Sequence, residues 1–412
     1  VERPVTDTVT DLADPVMFAD PFPRYAELRR CGAVSPAYSK QLMGGAGFML
    51  TRHEDVLLLH NDVRFSSDPT TGGSGFMMRH LPRMFRLLTN SMVYKDDPDH
   101  ARLRRLVNKA FTPRMVQLMT GEIERIVDGL IDELAGRPAG TTVDLVADFA
   151  TPLPLSVISN MLGVGDDDRD EFHVLMERFV MRLGSGSGLD ALRTIPTARR
   201  LYAVLERLAT ARRAVPDDGL ISGLLAANED GDSLNDDEVI AMIFLLMLAG
   251  HDTTANLIGS SAVALMEHPD EAERWRSDPS LGVAAVEELL RFTTPVPCGT
   301  ARTLLDPVTI DGTTMPKGSK VMGMIISANR DEAVFERPDA LDLGRDPNRH
   351  LTFAFGKHFC LGNQLARQEG QIAIGALVRR FPGMRLAVSR DRLQYKPVQA
   401  LRGFRTLPVT LR

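Results

Sequence analysis

A chain of 412 residues with 44% hydrophobic and 25% charged residues has the composition of an ordinary globular protein with a large core, which excludes disordered and fibrous classes. A formal net charge of −6 argues against nucleic acid as the main partner. Three scattered cysteines, Cys31, Cys298 and Cys360, are too few for a disulfide framework or a zinc site and point to a reducing cytoplasm.

The N-terminal VERPVTDTVTDLADP lacks the basic-then-apolar pattern of a signal peptide. The longest apolar run, Val239–Gly250, is shorter than the roughly 18 residues a membrane span needs, so a soluble cytoplasmic protein is expected. In chain order, Asp20–Ser66 mixes a helix (PFPRYAELRR), short strands (GAVSP, GFMLT) and a second helix (HEDVLLLHND). Pro98–Val107 reads as a basic helix opening after Asp96 and Asp97. From Met115 to about Ala211 helical periodicity dominates: VQLMTGEIERIVDGLIDELAG, LPLSVISNMLG, then DEFHVLMERFVMRL. Two Gly/Ser-rich stretches, Thr70–Gly75 and Gly184–Gly188, interrupt the pattern as connectors. Asp236–Glu267 reads as one long helix with an apolar centre. Past Pro295 the pattern changes to short strands, with Asp-Gly and Pro-Lys-Gly turns in RTLLDPVTIDGTTMPKGSKV, and FRTLPVTLR at the C-terminus is strand-like. No internal repeat is visible, and the expected fold class is mainly α with small β-sheets.

Three segments carry chemistry. In Phe353-Ala354-Phe355-Gly356-Lys357-His358-Phe359-Cys360-Leu361-Gly362 one cysteine lies between glycines, just before the helix formers NQLARQE. Unpaired N–H groups and the dipole at a helix start favour an anion, so Cys360 is expected as a thiolate, a metal ligand. Gly356 and Gly362 would let a flat cofactor approach the backbone. The competing reading is a small buried core cysteine. In the long helix, Ala249-Gly250-His251-Asp252-Thr253-Thr254 is locally costly: a mid-helix glycine loses about 1 kcal/mol against alanine. Threonine hydroxyls there bond back and bend the axis, and a carboxylate beside an apolar wall is expensive unless something uses it. Glu288-Leu289-Leu290-Arg291 forms an i,i+3 ion pair.

The spacing F-A-x-G-x-H-x-C-x-G resembles the heme-binding signature of the cytochrome P-450 monooxygenases, with Ala354 where the family often has glycine. A-G-x-D-T-T matches the family's oxygen-activating motif at every fixed position. E-x-x-R followed by Arg345 in FERPDALDLGR resembles its structural network, with Leu341 where phenylalanine is frequent. The resemblance implies a soluble bacterial, actinobacterial-type heme-thiolate monooxygenase. Its fold would be a single P-450 domain over 1–412, a triangular helical prism around buried heme b. Residues 20–66 and 296–412 would contribute the β-rich part, and 95–295 would be mainly helical.

By the same resemblance Cys360 is the iron ligand, and His100, Arg104, Arg302 and His358 are cationic partners of the heme propionates. Phe353, Gly356, Gly362, Ala249 and Gly250 adjoin the heme. Asp252 and Thr253 deliver protons during oxygen activation. Glu288, Arg291 and Arg345 form a buried network. Leu245, Leu248, Ala249, Val296, Cys298, Ala400 and Leu401 wall an apolar substrate pocket shaped by the loops near Phe76–Met92 and Gly184–Gly188, with Thr70–Gly75 and Gly184–Gly188 covering its entrance. His251 occupies a variable position and receives no ligand role. Arg102, Arg105, Lys109, Arg114, Lys357 and Arg367 form a basic cluster, read either as a solvated basic face or as a surface that steers an acidic iron–sulfur partner.

The reaction implied is insertion of one atom of O2, by hydroxylation or epoxidation, into a lipophilic small molecule. Natural-product tailoring of a polyketide- or macrolide-like scaffold is expected by analogy, with the substrate free or tethered to a carrier protein. Electrons would come from NAD(P)H through a ferredoxin reductase and ferredoxin to a monomeric enzyme with no membrane anchor. A peroxide-driven heme-thiolate enzyme and a non-catalytic heme sensor or carrier are the alternatives; the intact Asp252–Thr253 pair speaks against both.

Overall fold

The structure, a computed structural model, describes residues 9–71, 87, 91–164, 171–172, 174–176, 178–179, 188–229 and 231–411. Most of the segments Thr70–Gly75, Phe76–Met92 and Gly184–Gly188, expected near the substrate entrance and pocket, lies outside these residues. The fold is mainly helical with small sheets, as the sequence pattern predicts.

The largest sheet draws strands from the two ends of the chain: β1 (Thr10–Asp11), β2 (Val34–Ser39), β3 (Gly45–Leu50), β4 (Phe65–Ser66), β5 (Arg302–Leu304) and β6 (Lys320–Gly323). Their order is β1-β2-β3-β6-β5-β4. β2 and β3 run antiparallel with Ala37 opposite Gly47, and β6 joins β3 in parallel with Val321 opposite Phe48. The helices that matter for the site are α1 (Phe22–Cys31), α2 (His53–Asn61), α3 (Asp99–Ala110), α4 (Thr120–Ala135), α5 (Asp236–Glu267), α6 (Gly282–Thr293) and α7 (Asn363–Arg380). The single helix read across residues 116–136 is in fact two, Pro113–Leu118 and α4. Thr120 Oγ1 donates to the Gln117 carbonyl at 2.7 Å, a local bond that competes with helix continuation.

α5 spans 32 residues, about 48 Å at the usual rise of an α-helix. A capping box opens it: Asn235 Oδ1 accepts from the Glu238 N–H at 3.0 Å, and Glu238 Oε2 accepts from the Asn235 N–H at 2.9 Å. Asp236, Asp237 and Glu238 also face the positive end of the helix dipole. Among the described residues α5 is the one helix long and apolar enough to cross a membrane, and most of it is buried within the protein. Apolar side chains all round a helix require neighbours all round it, and α5 packs against α6, α7 and the helix Pro152–Met161. A Cβ on Gly370 would lie 3.3 Å from both Leu257 on α5 and Val286 on α6. Bare backbone at that point lets α7 seat against both neighbours, and so places the cysteine loop at its head relative to α5.

Beside Gly370 stands a buried carboxyl, Glu369, whose Oε2 has no hydrogen-bond partner. Burial pushes its pKa up to about 8. The folded protein therefore keeps a proton that the unfolded chain releases near pH 4.3, about the ordinary glutamate value, and stability falls as pH rises between those values. Glu369→Gln is expected to raise the unfolding midpoint more at pH 8 than at pH 5 in a thermal melt. An equal effect at both values would show that Glu369 is not held protonated.

Candidate active site

The loop before α7 is built around Cys360. The Cys360 N–H donates to the Phe353 carbonyl at 2.9 Å, and Asn363 Nδ2 donates to the Cys360 carbonyl at 2.7 Å, so the loop closes onto the first turn of α7. The Phe353 ring packs edge-on against Phe359 at 6.4 Å and lies under the Arg367 guanidinium at 4.4 Å. Gly356 has φ +68°, and a Cβ there would lie 2.9 Å from Asn61 Oδ1 and 3.1 Å from the His60 carbonyl. Glycine at 356 thus serves a left-handed turn and a close contact with the end of α2, a different reason from the cofactor approach expected of it. Gly362 has an ordinary φ of −81°, and no atom lies within 4 Å of where its Cβ would be. Space is open on that side of the cysteine loop.

Burial pushes the Cys360 thiol up, while the Gly362 N–H, Arg104 and Arg367 pull it down without prevailing. A cation bound to the sulfur supplies what the protein's own groups do not.

Around this loop the structure gathers the expected cations. The His100 and His358 rings lie 4.2 Å apart, and both are buried or nearly so. Burial, then the neighbouring Arg302, His100, His60 and Arg104, push His358 down to about 2. His100 is lowered by burial too, against the pull of Asp97. Arg302 is buried on β5 and lowered to about 10 by its desolvation. Arg104 Nη1 donates to the Phe359 carbonyl at 2.9 Å, which ties α3 to the cysteine loop. His60, on α2, belongs to this cluster and escaped the sequence reading: its Nδ1 is buried without a partner, and burial followed by Arg302 lowers it to about 4. Ser67 Oγ and His358 Nε2 are 2.9 Å apart. His100 Nε2 and Arg302 Nε are buried with no hydrogen-bond partner. Arg104, Arg302 and three imidazoles with lowered pKa values, some with orphaned nitrogens, would gain charge and hydrogen bonds beside an anion of more than one charge.

α5 supplies the opposing chemistry. In the largely buried middle of this helix, Ala249 is exposed, and Leu245, Leu248, Gly250 and Thr253 are partly open. Positions 245, 249 and 253 share one face at i,i+4 spacing, so that face borders open space. Thr253 Oγ1 donates to the Ala249 carbonyl at 2.6 Å. Asp252 is buried and meets Lys396, whose Nζ lies 2.6 Å from its Oδ1; His251 Nδ1 lies 3.8 Å from Oδ2. Burial works against the charge on Asp252, but His251 and the Lys396 ammonium outweigh it and hold the carboxyl well below the usual carboxylate range.

Glu288, Arg291 and Arg345 come together as expected. Glu288 takes a two-pronged ion pair from Arg291 at 2.7 and 2.8 Å, and both side chains are wholly buried. Arg345 Nε adds a contact at 3.0 Å, and Asn348 Nδ2 one at 3.1 Å. The remaining Arg291 donors reach the Asn329, Pro338 and Ala340 carbonyls.

Two expectations need revision. Arg102 pairs with Asp232 and Glu238, Arg105 and Lys109 with Glu229, Lys357 with Asp97, and Arg367 with Glu287, so the basic cluster is largely neutralised by the chain's own acids. Cys298, expected on the substrate wall, packs in an apolar cluster with Leu12, Tyr25, Met49 and Met322. It and Leu401 line a small cavity of about 40 Å³ that also takes in Met17, Tyr25 and Arg402. Val296 and Ala400 are partly buried.

Heme fits these residues on the structure's own terms: a sulfur donor beside open space, orphaned buried donors for two carboxylates, and a bared helix face. The family model for cytochrome P-450 matches residues 198–278 and 281–389. A polyketide biosynthesis cytochrome P-450, PksS of Bacillus subtilis, is 38% identical over 394 residues, covering 95% of this chain and 93% of the relative. A vitamin D(3) 25-hydroxylase of Pseudonocardia autotrophica is 40% identical over 408 residues, 97% of this chain and 96% of the relative. The solved PksS structure superposes with a TM-score of 0.89 at 36% identity, covering 97% of this chain and 99% of that one. The chain belongs to the cytochrome P-450 family, enzymes that bind heme iron, and its near relatives are monooxygenases.

Proposed function

We propose that the protein binds heme b through Cys360 and inserts one atom of O2 into a lipophilic natural product, a polyketide- or macrolide-like scaffold. Electrons would reach it from NAD(P)H through a ferredoxin reductase and ferredoxin. The observation that carries this reading is the pairing of Cys360 at the head of α7 with the orphaned His100 Nε2 and Arg302 Nε. The polyketide assignment draws on PksS, and the vitamin D(3) relative keeps the substrate class broad.

In this reading Cys360 would ligate the iron, and His100, Arg302 and His358 would bind the propionates; the bound heme supplies O2 activation. The residues of α5 manage access and protons. Leu245, Leu248 and Ala249 present apolar surface to substrate and exclude water. Thr253 spends its hydroxyl hydrogen on the Ala249 carbonyl, which leaves its oxygen lone pairs free to accept a hydrogen bond on the open side. Asp252, one residue away, is the carboxylate that would pass protons inward from solvent.

Thr253→Ala is expected to keep heme and substrate binding while product per NAD(P)H consumed falls about tenfold or more and hydrogen peroxide accumulates, since a positioned proton-transfer group is worth roughly 10²–10⁴ in rate. Unchanged product per reductant would remove Thr253 from the relay.

A further inference from the structure

Asp252 is held by a part of the chain remote in sequence. Its partner Lys396 lies in the C-terminal segment 395–404, where Tyr395 and Phe404 form an antiparallel bridge and stack at 4.7 Å. The Lys396 N–H donates to the Gly403 carbonyl at 2.8 Å, which closes the segment into a hairpin. The hairpin touches α5 again one turn beyond Asp252: a Cβ on Gly403 would fall 1.8 Å from Asn256 Oδ1, so only glycine permits that approach. Its other side is clamped to the N-terminal region. Arg402 donates to the Phe18 carbonyl at 2.5 Å and to Tyr395 Oη at 2.9 Å, and its guanidinium lies 4.2 Å from the Tyr395 ring centroid. Lys396 is therefore delivered to Asp252 on a rigid mount.

The two groups of the relay face other partners. Asp252 Oδ1 meets Lys396 at 2.6 Å, with the side chains 7% and 15% exposed, and Thr253 donates to the Ala249 carbonyl. His251, on α5 itself, and Lys396, on the hairpin, are the groups acting on Asp252. His251 Nδ1 lies 3.8 Å from Asp252 Oδ2, a longer contact than the 2.6 Å one to Lys396.

We propose that Lys396 is a positioning residue for proton delivery: its ammonium holds the Asp252 carboxylate ionised and turned towards the C-terminal hairpin, and a proton is taken up and passed on only when this ion pair opens. The inference rests on the reading of Asp252 and Thr253 as the relay. While the pair is closed, the carboxylate is a poor proton acceptor because protonation would leave a buried ammonium unpaired. When it opens, Asp252 loses the Lys396 charge, accepts a proton from solvent and can donate it on the Thr253 side. The step transfers a proton only.

The test compares the holoenzyme with Lys396→Met, Lys396→Gln, Lys396→Arg, Asp252→Asn and the Lys396→Met/Asp252→Asn double variant. Product per NAD(P)H is measured from about pH 5 to 8, a range that covers a buried carboxyl released from its cation. Thermal unfolding is measured alongside. Wild type and Lys396→Arg are expected to give flat profiles. Lys396→Met should acquire a pH-dependent limb, and should melt lower than the double variant, in which neither buried charge is orphaned. Lys396→Gln, which keeps a hydrogen-bond donor without the charge, gives the profile if the methionine variant does not fold. A flat profile in both neutral variants, or melting losses that simply add, would overturn the proposal. If Asp252→Asn and Thr253→Ala are themselves fully coupled, it is the relay that fails. If they uncouple while Lys396→Met and Lys396→Gln behave as wild type, the role of Lys396 alone fails.

Discussion

Glu288→Ala is expected to destabilise the fold by about 3–5 kcal/mol and to yield protein with little bound heme, because it removes one partner of a fully buried ion pair. Arg291 would keep its bonds to the Asn329, Pro338 and Ala340 carbonyls, but nothing would neutralise its charge. The loss spreads, because Glu288 also accepts from Arg345, Asn348 and the Asp342 N–H. Those contacts fasten the segment 336–348 to α6, and the cysteine loop begins a few residues later. Glu288→Gln keeps hydrogen-bonding capacity without the charge and should fall between wild type and alanine. The check is heme per polypeptide together with the unfolding midpoint. Normal heme loading and an unchanged midpoint in Glu288→Ala would mean the network does not hold the site.

Cys360→Ala is expected to bring product formation down to the background of heme without the protein, while leaving the helical content unchanged. Cys360 is half-buried, and its backbone bonds to Phe353 and Asn363 use atoms that alanine retains. Removing the sulfur therefore takes away the iron ligand with little cost to packing. Arg302, with the His100 and His358 rings as hydrogen-bonding partners, would still attract the propionates, so some heme should remain bound with altered ligation. Measurement of turnover, heme content and circular dichroism separates the two roles. Turnover close to wild type would rule out Cys360 as the ligand.

How far the sequence reveals this molecule depends on the reach of each interaction. α5 is legible to the residue because its capping box, apolar body and following Pro269 are all local signals. The cysteine loop and the Glu288–Arg291 pair are legible because their geometry follows from spacing along one segment. Arg345 joins that pair from a distance, and only resemblance to the family pointed to it. Lys396 and His60 left no local trace: each acquires its part through a contact made by folding, with Asp252 144 positions away in one case and with Arg302 in the other. The ion pairs of the basic cluster are hidden for the same reason, since the acids that meet Arg105, Lys109 and Lys357 lie on other segments. Cys298 is apolar in type and was placed on the substrate wall by alignment, whereas packing against Tyr25 and Met322 decides where it sits. The need for glycine at 356 comes from the approach of His60 and Asn61, which no local pattern shows.

The most direct measurement of the central claim is the absorption spectrum of the purified protein after reduction and exposure to carbon monoxide. Ligation of heme iron by the Cys360 thiolate predicts the strongly red-shifted heme band that only a thiolate ligand produces, present in wild type and lost in Cys360→Ala. A wild-type band at the unshifted position of histidine-ligated heme, or a shifted band that survives in Cys360→Ala, would contradict it.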